Sequence, residues 1–125
     1  MKIIIIDTNF FFLMSSKKID IFKEICDLVM EEHKLVVTSK ILTELQTLSK
    51  RDTDARFGLK VLNTKINEGE IRLIENIQHP DEFIAVFAKN NNLIVCTNDA
   101  DLRKKAKKAG AKVISLRANK RINFI

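Results

Sequence analysis

Apolar residues follow two alternating patterns along this chain. Short continuous runs, rich in β-branched residues, alternate with longer segments in which apolar residues recur every three or four positions. The first pattern is typical of strands buried on both faces of a sheet, and the second of amphipathic helices. The predicted strands are residues 2–6, 35–37, 71–74, 93–96 and 112–116. The predicted helices are residues 17–32, a segment capped by Thr38 or Ser39 that carries Ile41, Leu45 and Leu48, and residues 55–67, 80–91 and 99–109.

The order of these elements is β-α-β-α-α-β-α-β-α-β, which indicates the fold class. Strands that alternate with helices through short connections form parallel sheets, and right-handed crossovers place the helices on both faces. We therefore expect an α/β fold, a three-layer α/β/α sandwich with a central five-stranded parallel sheet. Residues 90–92, all asparagine, are expected to form the turn before the fourth strand. Ligands of such sheets bind at the carboxyl ends of the strands, near the point where the strand order reverses.

The length of 125 residues and the hydrophobic content of 46% suit one domain that spans residues 1–125. No apolar run approaches the roughly 18 residues that a membrane-spanning helix needs. The opening apolar run leads directly to Asp7, without the small-residue cleavage site of a signal peptide. We expect a cytoplasmic protein without a membrane partner. Cys26, on the apolar stripe of a predicted helix, and Cys96, in a predicted strand, are expected to be buried reduced thiols.

Positive charge is concentrated at the end of the chain. From Leu102 to Ile125 there are nine Lys or Arg residues and no acid, while residues 1–101 carry a net charge of −3 within a total of +6. Basic stripes of this kind commonly bind the phosphates of nucleic acids. A solvated helix face followed by a soluble tail explains the same pattern about equally well. The basic C-terminal segment, residues 103–121, is therefore a candidate RNA-binding surface.

Acidic residues stand where predicted strands end or helices begin. They are Asp7, Glu44, Asp81 and Asp99, with Glu82 and Asp101 beside the last two. Acids also cap helices and oppose the helix dipole, which explains any one of these positions taken singly. Asp7 fits that explanation least, because an aromatic run follows it.

Several carboxylates at one sheet edge would repel one another and raise their pKa values unless a cation intervened. Such a cluster suits hard divalent cations, which prefer oxygen ligands. One or two Mg²⁺ or Mn²⁺ ions would neutralise it, and two ions about 4 Å apart support phosphodiester cleavage. The acids together therefore predict a metal-dependent nuclease. The aromatic residues Phe10, Phe11, Phe12, Phe83 and Phe87 are expected in the core.

Four segments resemble the acidic motifs of PIN-domain ribonucleases, in that family's motif order. They are residues 5–11 (IIDTNFF), 41–45 (ILTEL), 80–85 (PDEFIA) and 95–102 (VCTNDADL). The first and last segments are the most specific. The basic stretch after Asp101 and the sequence ISLR at residues 114–117 are most similar to small archaeal relatives of the PIN nucleases of the small-subunit processome, which process ribosomal RNA.

This resemblance implies a PIN-like sheet and Mg²⁺- or Mn²⁺-dependent endonuclease activity on RNA, in which water attacks in line and the 3′-oxygen leaves. By position, Asp7, Glu44, Asp81 and Asp99 match the core catalytic and metal-binding acids, and Asp101 matches an additional acid. Glu82 stands where many members carry a second aspartate and is treated as auxiliary. Asn9 and Asn98 are auxiliary candidates to orient a ligand, with turn formation as the equal alternative. The candidate RNA-binding residues are Arg103, Lys104, Lys107, Lys108, Arg117, Lys120 and Arg121.

Two other functions stay open at this point. Toxin components of toxin–antitoxin pairs share this domain and size, and an antitoxin would then be a partner. A PIN-like RNA-binding assembly module without catalytic activity is the other, although a scaffold has no need to hold so many acids together. The expected partner of the predicted nuclease is RNA, as ribosomal or precursor RNA, and a homo-oligomer is compatible with the family.

Overall fold

The computed structural model describes residues 1–77, 79–88, 92–118 and 120–125, apart from the side chain of Pro80. Within these residues the strands are β1 (Lys2–Ile6), β2 (His33–Thr38), β3 (Ile71–Ile74), β4 (Leu93–Cys96), β5 (Lys112–Arg117) and β6 (Arg121–Phe124). The helices are α1 (Leu13–Ser16), α2 (Ile21–Leu28), α3 (Ser39–Leu48), α4 (Thr53–Asn67), α5 (Pro80–Phe87) and α6 (Ala100–Lys108). A 3₁₀ helix, Thr8–Phe12, connects β1 to α1.

The strands form one mostly parallel sheet flanked by helices, as the alternating pattern predicts. Across the described residues its order is β3-β2-β1-β4-β5-β6. The first five strands pair in parallel, and β6 pairs with β5 in antiparallel register. The sixth strand was not predicted, because its four residues lie at the basic end of the sequence, which was interpreted only from its charge. Its Ile122 is nevertheless buried between the exposed Arg121 and Asn123, which is the period-2 pattern of a strand.

The two central strands set the position of the candidate site. In register, Ile6 of β1 lies opposite Cys96 of β4, and the N–H of Asp7 donates to the Cys96 carbonyl at 2.9 Å. The strand that follows β1 in sequence, β2, lies on one side of this pair, and the strand that follows β4, β5, lies on the other side. The strand order therefore reverses at the carboxyl ends of β1 and β4, where the ligands of such sheets bind.

The helix predicted over residues 17–32 corresponds to α2, which begins later and ends earlier than predicted. Lys18 adopts a left-handed backbone with φ 57°, which separates α1 from α2. The carboxylate of Asp20 then caps α2 by accepting a bond from the N–H of Lys23 at 3.1 Å. Ile21 and Ile25 make the buried side of α2. The prediction that Cys26 is buried is therefore wrong: its thiol is exposed, whereas that of Cys96 is buried as expected.

Helix α5 also ends earlier than predicted, at Phe87 rather than Asn91. The predicted turn at residues 90–92 falls largely outside the described residues. Thr38, not Ser39, caps α3, because its hydroxyl accepts a bond from the N–H of Ile41 at 3.2 Å.

Helix α4 lies against the 3₁₀ helix through a glycine. A Cβ added to Gly58 would be 3.0 Å from the Cβ of Phe11 and 3.1 Å from its carbonyl oxygen. Those distances are shorter than ordinary van der Waals contact, so glycine permits the close approach. The core between sheet and helices includes Ile4, Ile6 and the fully buried Phe11.

The outer edge of β6 is closed by side chains. The N–H of Ile122 donates to Glu24 of α2 at 3.1 Å, and the N–H of Phe124 donates to the side chain of Asn123 at 2.8 Å. Occupied donors on an edge strand disfavour pairing with another chain. Among the described residues, no helix has both the length and the apolar character needed to cross a membrane.

Candidate active site

An open cleft of about 490 Å³ lies at the carboxyl edge of the central strands. The acids that line it are Asp7, Glu44, Asp81, Asp99 and Asp101. They come from the end of β1, from α3, from the first turn of α5 and from the β4–α6 junction. The structure therefore brings these five carboxylates, distant in sequence, to one cleft at this edge of the sheet. The other lining residues are Thr8, Asn9, Phe12, Leu48, His79, Leu102 and Lys105.

Thr97 links the Asp7 carboxylate to the backbone of the Asp99 loop. Its side chain is fully buried, and its hydroxyl donates to Oδ2 of Asp7 at 2.7 Å. The same hydroxyl oxygen accepts a bond from the N–H of Asp99 at 3.0 Å. One side chain thereby orients the Asp7 carboxylate and ties it to the backbone of the Asp99 loop. Thr97 was not singled out in the sequence, although it stands two residues before Asp99 in a motif segment.

Thr8 gives Glu44 a comparable partner. The buried hydroxyl of Thr8 donates to Oε2 of Glu44 at 2.8 Å across 36 residues of sequence. Glu44 is otherwise exposed on α3, and this bond holds its carboxylate over the end of β1. The bond explains how a helix glutamate with no specific sequence signal comes to belong to the cleft.

Asp7 is the acid whose environment is most perturbed. Burial raises its pKa above the usual value, and the negative charges of Glu44 and Asp99 raise it further. Hydrogen bonds from the Thr97 hydroxyl and the Thr8 N–H oppose that rise in part. A half-buried carboxylate held against two other acids is one that a bound cation would stabilise.

Asp99 serves as both a helix cap and a cleft acid. Its Oδ1 accepts bonds from the N–H groups of Asp101 at 2.9 Å and Leu102 at 3.5 Å, which caps α6. The capping explanation weighed from sequence is thus realised at this residue, and it does not remove the side chain from the cleft. Capping fixes the carboxylate at the start of α6 and also turns it toward the strand edge.

Of the two acids in the first turn of α5, Asp81 lines the cleft and Glu82 does not. Asp81 is exposed, and its Oδ2 is 3.3 Å from the Nζ of Lys105 on α6. His79 precedes α5 and lines the cleft without a side-chain capping bond. Glu82, in the same first turn, is exposed but does not line the cleft, so the structure places it apart from the five acids.

Asn9 and Asn98 use their side-chain oxygens within the protein. The N–H of Asn98 donates to Oδ1 of Asn9 at 3.2 Å. Oδ1 of Asn98 in turn accepts bonds from the Ser115 hydroxyl and the Leu116 N–H, both at 2.9 Å. These bonds link the loops after β1 and β4 to the end of β5. They favour the turn-forming alternative, although Asn9 also lines the cleft.

The predicted RNA-binding residues lie around the cleft rather than in it. Lys120 and Arg121 line a separate groove beside α2. None of the seven belongs to the lining of the acidic cleft: Arg103, Lys104, Lys107, Lys108, Arg117, Lys120 and Arg121. Their role in RNA binding stays a prediction. Lys105, which was not among these candidates, does line the cleft; it follows Asp101 by four residues and therefore lies on the same face of α6. Phe12, expected in the core, is half-buried and also contributes to the cleft wall.

The donor chemistry of the cleft fits a hard divalent cation. Carboxylate oxygens are the ligands that Mg²⁺ and Mn²⁺ prefer, and the cleft contains no cysteine. Within the described ranges, no three His, Cys, Asp or Glu side chains are close enough together to hold a metal ion as they stand. Glu44, Asp81, Asp99 and Asp101 are exposed, so their side chains can change rotamer toward a cation without disturbing the core.

Comparison with known proteins agrees with this geometry. Residues 4–119 match the family described as PIN like domain. Ribonuclease VapC4 of Methanocaldococcus jannaschii is 32% identical over 120 residues, which cover 94% of this chain and 92% of that protein. Ribonuclease VapC9 of Archaeoglobus fulgidus is 26% identical over 123 residues, covering 94% of this chain and 85% of that protein. The solved structure of the PIN domain endonuclease Utp24 superposes with a TM-score of 0.77 at 20% identity, covering 98% of this chain and 90% of that one, and shows the same fold.

Proposed function

Because this chain belongs to the PIN-like domain family, we propose that it is a divalent-metal-dependent endoribonuclease that hydrolyses RNA phosphodiester bonds. The observation that carries the proposal is the meeting of five carboxylates from separate elements in one open cleft at the switch point of the sheet. Similarity to two ribonucleases over nearly the whole chain supports the same activity.

The residues proposed to hold one or two Mg²⁺ or Mn²⁺ ions are Asp7, Glu44, Asp81, Asp99 and Asp101. When bound, such ions activate water and neutralise charge on the reacting phosphate. Thr97 and Thr8 keep the carboxylates of Asp7 and Glu44 oriented into the cleft by the hydrogen bonds described above.

We propose ribosomal or precursor RNA as the substrate and the cytoplasm as the place of action. Support comes from the resemblance of the motif segments and basic C-terminal segment to the processome-related PIN nucleases. The structural neighbour Utp24, at 20% identity, adds the fold alone. In this role, depletion of the protein would cause uncut precursor RNA to accumulate.

A toxin-type ribonuclease is the second candidate role. The specific observation in its favour is the similarity to two VapC ribonucleases along more than nine-tenths of this chain. This role requires an antitoxin as a partner. A small adjacent gene whose product suppresses growth arrest caused by this protein would support it, and survival of cells that express the protein alone would contradict it.

The activity itself is tested by RNA cleavage. A structured ribosomal RNA and a short single-stranded RNA are incubated with Mn²⁺, Mg²⁺ or EDTA, and the wild type is compared with Asp7→Asn. Asp27→Asn is the matched control, since it removes an equal charge from an exposed position on α2 away from the cleft. We expect metal-dependent cutting that falls by about 100-fold or more in Asp7→Asn and is unchanged in Asp27→Asn. RNA binding without cutting, equal in all three proteins, would overturn the enzyme and favour the assembly module.

A further inference from the structure

Lys105 brings a permanent positive charge into the acidic cleft. Among the described residues that line the cleft, it is the one Lys or Arg side chain. Its Nζ lies 3.3 Å from Oδ2 of Asp81, and the two side chains are 59% and 60% exposed. An ion pair so open to water is weak and exchanges readily with other partners. Lys105 is therefore held near the acids without being locked to them.

The helix explains why Lys105, rather than its basic neighbours, occupies this position. Residues four apart lie on one face of an α-helix, so Lys105 follows Asp101 along the cleft side of α6. Lys107, two residues further, is rotated by about 200° and points away from that side. The inward side of α6 is occupied by Leu102 and Ala106, which are buried.

Charge balance defines what Lys105 has to do. RNA brings a phosphate backbone to a cleft with five carboxylates, and that approach is repulsive without cations. In the free protein, the Lys105 ammonium shields Asp81. A divalent cation held by Asp81 would carry the stronger charge and would displace the ammonium. Lys105 would then be a flexible cation at the rim of the cleft, where a phosphate could reach it.

Resting on the proposed function, we propose that Lys105 competes with the divalent metal for Asp81 and, once displaced, binds the RNA phosphate backbone beside the cleavage site. It is a substrate-binding residue whose release depends on metal binding. The role predicts effects of opposite sign: removal of the ammonium strengthens metal binding and weakens RNA binding. A structural role for Lys105 would weaken both or change neither.

The test compares Lys105→Gln with Lys60→Gln, a control that removes the same charge from an exposed position on α4 outside the cleft. Mn²⁺ affinity is measured by titration calorimetry without RNA. Affinity for a short labelled single-stranded RNA is measured in Ca²⁺, a hard cation with oxygen ligands, over a series of salt concentrations, and a gel afterwards checks that the RNA is intact.

We expect Lys105→Gln to bind Mn²⁺ about two- to fivefold more tightly, the range of an exposed ion pair. Its RNA affinity should fall, and the slope of log affinity against log salt should lose about 0.7, the value of one single-strand phosphate contact. Lys60→Gln should match the wild type in the metal titration and in the salt slope.

Three results would overturn the proposal. If Lys105→Gln binds Mn²⁺ no more tightly than Lys60→Gln, there is no competition for Asp81. If the salt slope is unchanged, Lys105 makes no phosphate contact. If either result occurs while the wild type still cuts RNA, the role of Lys105 is refuted and the proposed function stands. A wild type that binds no Mn²⁺ and cuts no RNA refutes the proposed function together with this inference.

Discussion

Thr97 provides the sharpest test of how the cleft is held together. Replacement of Thr97 by Val keeps the shape of the side chain and removes the hydroxyl. Two groups then lose their partner: the Asp7 carboxylate, which receives the hydroxyl at 2.7 Å, and the Asp99 N–H, which donates to it at 3.0 Å. Because Thr97 is fully buried, water cannot occupy the vacated position without a change in packing.

The expected loss of stability can be worked from these two bonds. A hydrogen bond to a charged group contributes about 1.5–3 kcal/mol, and an unsatisfied buried N–H costs about 1–3 kcal/mol. Asp7 is half-buried, so water partly solvates its carboxylate and the lower end of the first range applies. The two terms share one hydroxyl and do not add fully. We expect Thr97→Val to lower the free energy of unfolding by about 2–3 kcal/mol at pH 7.

The assay is urea unfolding followed by far-ultraviolet circular dichroism, because the chain has no Trp or Tyr for fluorescence. Thr97→Ser keeps the hydroxyl and is the control; it should retain most of the stability. The loss in Thr97→Val should shrink when Asp7 is also changed to Asn, and at acidic pH, where a protonated Asp7 needs the donor less. A loss below about 0.5 kcal/mol, or an equal loss in Thr97→Ser, would refute the role assigned to the hydroxyl.

Three further predictions follow from other contacts. Burial raises the pKa of Asp7 above its usual 3.8, so its ionised form opposes folding; without divalent metal, Asp7→Asn should be more stable than the wild type to urea at pH 7. As the pH falls, that advantage should begin to shrink near the raised pKa of folded Asp7 and should be gone below 3.8, the value in the unfolded chain. If Asp7→Asn is less stable than the wild type at pH 7, this prediction is contradicted. Gly58→Ala should lower the free energy of unfolding by about 1–2 kcal/mol, measured by thermal melts. The new Cβ would lie 3.0 Å from the Cβ of Phe11, and the cost of that crowding exceeds the gain in helix propensity. A raised melting temperature would show that the crowding is absent. Glu24→Ala should cost about 1 kcal/mol and speed hydrogen exchange at the Ile122 amide, which donates to Glu24, whereas an unchanged exchange rate would mean that water or another group protects that amide.

The sheet was predictable wherever a strand is buried on both faces. β1 and β4 begin and end at the predicted residues because each consists mainly of a buried apolar run that ends at a polar position. The edge strand β3 also matches its predicted bounds, although Arg72 interrupts its apolar residues. The short β6 was missed because four alternating residues in a basic segment carry too weak a signal. The left-handed backbone of Lys18, which separates α1 from α2, was not predicted because lysine, unlike glycine, does not indicate that conformation in a sequence.

The candidate site was predictable in its acids and not in the groups that hold them. Asp7 and Asp99 are placed by strand ends, which sequence patterns locate well. The hydroxyl bonds of Thr97 and Thr8 depend on a strand pairing and a helix position that join residues 90 and 36 apart. Lys105 looked like one member of a basic run, and only the packing of α6 beside α5 separates it from its neighbours.

The pairing of β1 with β4 also sets the moment in synthesis at which the cleft comes into being. Asp7 is made 90 residues before the Thr97 that orients it. A nascent chain that stops before Leu93 already contains Glu44 and Asp81, yet it lacks β4 and the Asp99 loop. Because chains emerge from the ribosome amino terminus first, the acids meet only after β4 and the Asp99 loop have been translated. Products that terminate before β4 therefore carry no assembled cleft, and the ribosome that makes this protein is not exposed to the cleft until that strand and loop have been made.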